Sequence, residues 1–568
     1  MKKITRCLTV LILFFNVTVY AQFSTEWTVN YQHTTSNDFS NEGKKVVADA
    51  AGNAYVLADV TSDIDPNGNT TTSTFHYTVI SKYSVTGSLL VSKSINVFNH
   101  SVTGFDNKGA FGLEMDAAGN IYIGYINYDN ATSFDVNIIK YNSSLVRLWV
   151  RKFNSAGSDL GIDMGVSSAG VVYAIVKSIS GANTGYLIIK ANSQITNDTA
   201  TYTFNANTDV LNAIWVEGNM VYVTGYHIVS GYKVAMTAKV NAAQGTLKWK
   251  KNYNGGSVSG DDFGNDIIVG IDGDVYVTGT SDQGPPTDND VLIMKLQASN
   301  GVAVWRKHRD LDNSPADAGL FITAIDTDNV YVGSISDTYI ILDQLDVALG
   351  KTGGRIAYQP IPDAQYSFLN GVKLGDFKIS NNYGFYFTGS ILATDSSNRV
   401  FSASYLVKFI VTSPTEKDAF KLESAMPFEG DYNKSFAGLS LAFDYSNDNV
   451  LWLTDGFSDY ASHLQEKVNL INLDIAPQMR KSHDSNKTVM TWGEISIEPN
   501  PSDNLITVSS IEKIIKVELY DLTGKMVIAI STDSEKIKMT VSGLMNGMYI
   551  GKIYTESGTV TTRKIVKD

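Results

Sequence analysis

The sequence predicts an all-β fold: an eight-bladed β-propeller, with seven blades as the alternative, followed by a small C-terminal β-sandwich. Three observations predict it. A turn rich in Asp, Gly and Asn, followed by a strand with a central aromatic, recurs along residues 49–454. The recurrences keep a blade-like period. The two ends of the array carry complementary fragments of one blade.

The pattern is clearest at Asp49-Ala-Ala-Gly-Asn53-Ala-Tyr55-Val56 and Asp116-Ala-Ala-Gly-Asn120-Ile-Tyr122-Ile123. Looser copies centre on Tyr173, Tyr222, Tyr276, Tyr331, Tyr386 and Trp452. Successive aromatics are 67, 51, 49, 54, 55, 55 and 66 residues apart. The spacing fits one four-stranded blade, somewhat longer than the ~40–45 residues of the shortest blade families. A helical solenoid is excluded because the repeats lack 3.6-residue apolar faces and are rich in Gly and β-branched residues.

Four strands can be read in one repeat. In the fifth they are 265–271, 275–280, 291–296 and 302–308. The third strand carries a Lys after its apolar run (Lys82, Lys140, Lys190, Lys239, Lys295), and the fourth often holds a Trp (Trp149, Trp249, Trp305). The Trp side chains are expected to fill space between blades, and the Lys side chains to keep an edge soluble. Residues 343–375 and 391–430 fit the pattern poorly, which leaves seven blades open. Near the N-terminus, Glu26-Trp27-Thr-Val-Asn-Tyr31 reads as a fourth strand with no partners before it, while the last repeat stops after three strands at residue 473. The first fragment can complete the last blade and close the ring, leaving no exposed edge.

The flanks add two addresses. Lys2, Lys3 and Arg6 precede an apolar run, Leu8–Val19, and then Val19-Tyr20-Ala21, which together read as a cleavable signal peptide. The expected domains are a signal peptide (1–21), a propeller (22–476), a linker (477–492) and a C-terminal domain (493–568). No transmembrane segment is expected in the mature chain. The only cysteine, Cys7, leaves with the leader, so disulfides and thiolate chemistry are excluded from the mature protein. The formal net charge is −13, and losing the leader's three cations makes it more negative. That acidity argues against nucleic acid as a partner.

The repeats resemble bacterial β-propeller repeats of the form D-x-x-G-N-x-Y-V-x-G, a family defined by scaffold and not by activity. The stretches 242–249 and 298–305, each ending in Trp, resemble the tryptophan-docking repeats of quinoprotein-like propellers. The vicinal cysteines of many quinone-dependent dehydrogenases have no counterpart, so the resemblance implies geometry and no cofactor. At the C-terminus, Pro499-Asn500-Pro501, Gly524-Lys525, Gly547-Met-Tyr549 and a basic tail with Lys564 follow in order. Together they resemble the type A C-terminal sorting domain of the type IX secretion system. The resemblance implies a small β-sandwich, recognition by the outer-membrane export machinery as partner, and a location outside the cell or on its surface, reached through the periplasm.

Chemistry is sparse by contrast. His33, His76, His100, His227, His308, His463 and His483 are scattered singly without zinc spacing. Acids near the starts of first strands, Asp159, Asp209, Asp261-Asp262 and Asp317, could converge on the channel mouth as paired carboxylates, or cap their own turns. Asp63, Asp65 and Asn67 alternate as calcium ligands do, although Pro66 interrupts them and Thr74 stands where a bidentate Glu belongs. No catalytic set and no resident cofactor are expected, calcium being the one ion to test. The reading is a secreted binding protein for an unknown protein or glycan. A polysaccharide hydrolase or lyase with channel carboxylates is the alternative.

Overall fold

The computed structural model describes the strands and tight turns of residues 24–31, 38–474, 496–498 and 504–567. Residues 1–23, 32–37, 65–69, 100–108, 475–495 and 499–503, with shorter connecting stretches, lie outside the described residues. The chain divides into two compact units, Met1–Gln478 and Met479–Asp568. Among the described residues no helix is long and apolar enough to cross a membrane.

In the first unit the described strands form eight four-stranded antiparallel sheets, each strand paired with its sequence neighbour. The seven sheets between residues 38 and 427 each come from one repeat. The eighth joins Lys434–Asp444, Asn449–Tyr460 and His463–Asp474 to Ser24–Tyr31, which pairs antiparallel with the last of them. The N-terminal strand thus fills the place that the last repeat leaves open. First strands of repeats 1 to 6 pack in series. That of repeat 7 (Ser367–Ile379) lies against the second strand of repeat 6 and the first of repeat 8, and the first strand of repeat 8 lies against that of repeat 1. The array therefore closes on itself. The two poorly patterned stretches contain ordinary repeat strands, Tyr339–Asp346, Thr352–Tyr358, Val400–Val411 and Phe420–Pro427.

Strand limits differ slightly from the pattern. The fifth repeat runs Asp262–Val269, Val275–Gly284, Asp288–Leu296 and Ala303–Arg309. Its first strand starts three residues early because Asp262 pairs with Ser281, extending the ladder beyond the apolar run. One marker is also misplaced. In the other repeats the marker Tyr lies two residues before the position facing the residue that follows a β-bulge, as Tyr55 does relative to Leu57 opposite Lys45. In the eighth that residue is Ser440, opposite Leu453, so Leu451 holds the marker register and Trp452 is one residue past it.

The repeated motif explains itself in atoms. Asp49 Oδ1 accepts from the backbone N–H groups of Ala51 (3.0 Å) and Asn53 (2.9 Å), closing the turn. Gly52 takes φ 79°, where a side chain would be strained. The Tyr55 hydroxyl donates to Asp49 Oδ2 at 3.1 Å, and its ring is wholly buried. The same contacts recur at Asp116, Gly119 and Tyr122. Seven marker tyrosines, from Tyr55 to Tyr386, are at most 2% exposed, so one Tyr per repeat supplies a large buried ring.

The third-strand lysines are not edge solubilisers. Each pairs in register with the marker Tyr: Lys82 with Tyr55, Lys140 with Tyr122, Lys190 with Tyr173, Lys239 with Tyr222 and Lys295 with Tyr276. The ammonium lies over the ring at 4.8 Å for Lys82 and 4.6 Å for Lys140. It also reaches the turn Asp, at 3.4 Å for Lys82–Asp49 and 2.8 Å for Lys295–Asp272. The same Lys then donates to a carbonyl of the next repeat, as Lys82 to Ser143 (2.9 Å) and Lys295 to Val347 (3.1 Å). Trp249 and Trp305 donate their indole N–H to Ala298 and Val347 in the following repeat. Gly301 (φ 71°) and Gly350 (φ 62°) lie beneath these indoles, where an added Cβ would come within 2.6 and 2.7 Å of the ring. Lys with Tyr or Trp thus fastens sheets 1, 4 and 5 to the sheets that follow them.

Among the described residues the second unit holds one five-stranded sheet. Its two long strands, Leu505–Tyr520 and Met526–Thr540, pair along both halves but shift register between Ser509 and Ile514. The N-terminal half of Leu505–Tyr520 also pairs with Ser496–Glu498, and the C-terminal half with Gly547–Thr555. Ile506, Val508, Val517, Leu519, Tyr549, Ile553 and Ile565 are buried in one apolar cluster.

Candidate functional site

The first strands surround the ring's centre, and a β-bulge recurs near the middle of most of them. In four repeats the residue after it, Asp163, Asp266, Asp376 or Ser440, points a polar side chain at the next sheet. Asp163 Oδ2 accepts from the Ile214 N–H (3.1 Å), Asp266 Oδ2 from Ile322 N–H (2.9 Å) and Asp376 Oδ2 from Leu441 N–H (2.9 Å). Ser440 donates its hydroxyl to Asp376 Oδ2 (3.0 Å) and accepts from the Val46 N–H of the first repeat (3.3 Å). The bulge residues Asn212 and Asn265 donate to the carbonyls of Gly264 and Gly319 in the next sheet. A bulge frees backbone groups from the ladder, and these side chains satisfy them across the gap.

These acids share one electrostatic environment. Burial pushes Asp266 up to about 7 despite its two backbone donors, with Asp163 adding repulsion. Burial likewise raises Asp163 and Glu114, and the Lys45 ammonium acts against it in both. Asp59 is raised by burial too, while Lys44, the Thr78 hydroxyl and the Ala110 N–H favour its charge. A group near 7 can give or take a proton at neutral pH. Here both Asp266 oxygens already accept backbone N–H groups, Oδ1 from Ile267 and Oδ2 from Ile322.

The acids singled out in the sequence sit elsewhere, at strand starts. Asp159 accepts from the Ser155 N–H and hydroxyl, and Asp262 from the Gly255 N–H and the Ser281 hydroxyl. Asp209 accepts from the Asn205 N–H and pairs with His227 Nδ1 (2.6 Å) and Lys250 Nζ (2.5 Å). Asp317 is buried opposite Ser336 in the ladder. Asp261 pairs with Lys233 at 2.6 Å. The turn-capping alternative describes Asp159 and Asp262; Asp209 adds an ion pair that the one-dimensional pattern does not carry. The post-bulge acids carry no repeat signature in the sequence, because Asp163, Asp266 and Asp376 occupy a register position that holds Lys45, Gly112, Ala213, Phe321 or Ser440 in the other repeats.

Asp65 and Asn67 lie outside the described residues, as does the Asp63 side chain. Among the described residues no group of three or more His, Cys, Asp or Glu side chains is arranged to hold a metal ion. In the sorting motif, Pro499, Asn500, Pro501 and Gly524 lie outside the described residues, as does the Lys564 side chain. Lys525 closes its turn by donating its N–H to Asp521 Oδ1 (3.0 Å). Gly547 adopts φ 151°, and Tyr549 is buried with its hydroxyl donating to the Met545 carbonyl at 2.7 Å. In the same sheet Glu518, its side chain covered by its neighbours, accepts from Tyr520 and Tyr554 and pairs with Lys516. The Lys516 hydrogen bond, followed by those two hydroxyls, lowers Glu518 to about 2.

The first unit is thus a ring of repeated four-stranded sheets, and the second a small β domain with the ordered sorting motifs. Residues 496–568 match the protein family described as a secretion system C-terminal sorting domain. The chain is a β-propeller repeat protein with a type IX secretion sorting domain at its C-terminus, which marks it for secretion or export to the cell surface. No curated protein sequence matches it. Similar solved structures include BamB from Moraxella catarrhalis (14% identity, 63% of this chain and 96% of that chain, TM-score 0.29). They also include a PL25 ulvan lyase bound to a disaccharide repeat (11%, 78% and 96%, TM-score 0.41) and Drosophila plexin A in complex with semaphorin 1b (11%, 79% and 88%, TM-score 0.36).

Proposed function

We propose that the protein is an extracellular binding module: an eight-bladed propeller that presents its loops and rim to a glycan or protein ligand. It is delivered through the periplasm by a cleaved leader at residues 1–21 and across the outer membrane by residues 493–568, folded as a sandwich. One observation carries the reading. Carboxylates around the ring are consumed by the scaffold: of those offered for catalysis, Asp159 and Asp262 cap strand starts, and the post-bulge Asp163, Asp266 and Asp376 bind N–H groups of neighbouring sheets. The test is a glycan array probed with the exported protein, with and without calcium, followed by sizing of the bound glycans. Selective binding with intact glycans supports the reading, and calcium dependence would assign an ion to Asp63, Asp65 and Asn67.

The alternative, a polysaccharide hydrolase or lyase, draws on Asp266 with its carboxyl near 7 and on Glu114 in the same electrostatic neighbourhood. Glycans shortened by the wild type and left intact by Asp266→Asn would move catalysis ahead of binding.

A further inference from the structure

In a chain with 58 acidic and 45 basic residues, the fourth strands of repeats 2, 4 and 5 run against the overall sign. Arg147–Phe153, Thr246–Tyr253 and Ala303–Arg309 carry nine Lys and Arg between them and no acid. Several of these cations have structural partners. Arg151 donates to the carbonyls of Asn192 and Ser193, Lys152 pairs with Asp135, and Lys250 with Asp209. Lys251 and Arg306 are exposed and, among the described residues, neither has a carboxylate partner.

These two residues line the same groove, between the outer strands of repeats 4 and 5. Alternation along the strand puts Lys251 and Tyr253 on the side of Trp249, which faces repeat 5. Arg306 comes from the opposite wall and stands over the Tyr253 ring at 5.0 Å. The Tyr253 hydroxyl is fixed by His308 Nε2 at 2.5 Å. Met294 and Leu296 add apolar lining. Burial and the Arg306 charge both hold His308 below its ordinary value, so this imidazole is a neutral partner for Tyr253 at pH 7. Its volume, about 210 Å³, is below the ~300–1,000 Å³ of pockets that enclose a drug-sized ligand. The groove therefore suits one unit of a longer chain lying over the rim.

We propose that this groove binds one acidic sugar residue of an anionic polysaccharide. Lys251 and Arg306 hold its carboxylate or sulfate, and Tyr253 with Met294 and Leu296 meets its apolar face. Guanidinium and ammonium donors give charge-assisted bonds to such oxyanions, and an aromatic wall supplies contact at low entropic cost. The inference rests on the reading of the propeller as a binding module and names its ligand class.

The test is affinity electrophoresis of the full exported protein through gels containing heparin, polygalacturonate or neutral dextran. The wild type is expected to be retarded by at least one acidic polymer and not by dextran. Retardation should fade as NaCl rises from about 0.1 M to about 1 M, where the screening length drops from ~10 to ~3 Å. Lys251→Gln with Arg306→Gln should weaken binding about tenfold or more, the range for lost hydrogen bonds to charged groups. Lys251→Gln alone changes only an exposed side chain and should weaken it in the same direction. Lys248→Gln, exposed on the same strand outside the groove lining, should bind as the wild type does. No retardation of the wild type by either acidic polymer overturns the proposal, as does an equal loss with Lys248→Gln. Binding of a neutral glycan or a protein that the double variant leaves unchanged overturns the groove assignment while sparing the binding reading.

Discussion

At Tyr276 one side chain serves three neighbours: its ring is buried, its hydroxyl donates to Asp272 at 2.8 Å, and Lys295 lies over its face. Tyr276→Phe keeps the ring and removes one donor from the Asp272 carboxylate, which Lys295 and the Asp274 N–H still hold, so it should cost about 1 kcal/mol by urea unfolding. Gly350→Ala combines left-handed strain with a Cβ inside the Trp305 ring contact. It should destabilise by at least ~1 kcal/mol and shift the Trp fluorescence. The acids make opposing contributions to pH dependence. Burial alone would raise Asp49, Asp116 and Asp272, but donors led by Asn53, Asn120 and Lys295 respectively hold them below the ordinary carboxylate value. Their contribution is complete above an unfolded pKa of about 3.9 and is lost as the pH falls through the lower folded values. Asp266 has the opposite sign. Folded, it keeps its proton up to about 7, so the native state binds more protons than the unfolded chain between about 4 and 7. Its ionisation therefore removes stability as pH rises through that window. The unfolding free energy should peak at mildly acidic pH, and Asp266→Asn should flatten the decline toward pH 8. A wild-type curve that rises from pH 5 to 8 would refute the assignment.

At the scale of strands and sheets, the marker aromatic was legible because each repeat must bury one large ring near the start of its second strand. Seven positions follow that rule, and the eighth slips by one because Leu451, not Trp452, keeps the ladder register. The role of the lysines was hidden in the sequence. Tyr55 and Lys82 are 27 positions apart, and only strand pairing brings ammonium over ring. The inter-sheet acids were hidden for a related reason: a bulge moves Asp163, Asp266 and Asp376 out of simple alternation and toward the next sheet's N–H groups. The groove of Lys251, Tyr253 and Arg306 joins strands more than 50 residues apart and has no local signature. The closing strand was legible as a lone fourth strand at one end of the chain and a three-strand repeat at the other. It carries its own test. Removing residues 22–31 strips the partner from His463–Asp474 and exposes that strand's edge. The truncated protein should elute as oligomers or aggregate in size-exclusion chromatography, while the intact protein should not.

At the scale of the whole molecule, the chain couples a self-closed ring to a tail that carries its address. The tail's motifs are spaced through one small domain, and each described one has a physical task there. Lys525 closes a turn, Gly547 supplies a backbone angle that other residues avoid, and Tyr549 fills the apolar cluster. The ring, with its own apolar clusters and its own edge closure, has no need of those strands to satisfy its backbone. Deleting residues 493–568 should leave a folded propeller retained within the cell envelope, detected by fractionation with an antibody against the ring. Substituting Tyr549 by Ala, which removes a buried ring from the tail alone, should reduce export in the same direction by loosening the domain. Normal release of the deleted protein into the medium would show that the tail is not the address. Retention with an unfolded, protease-sensitive ring would show that the two units depend on each other.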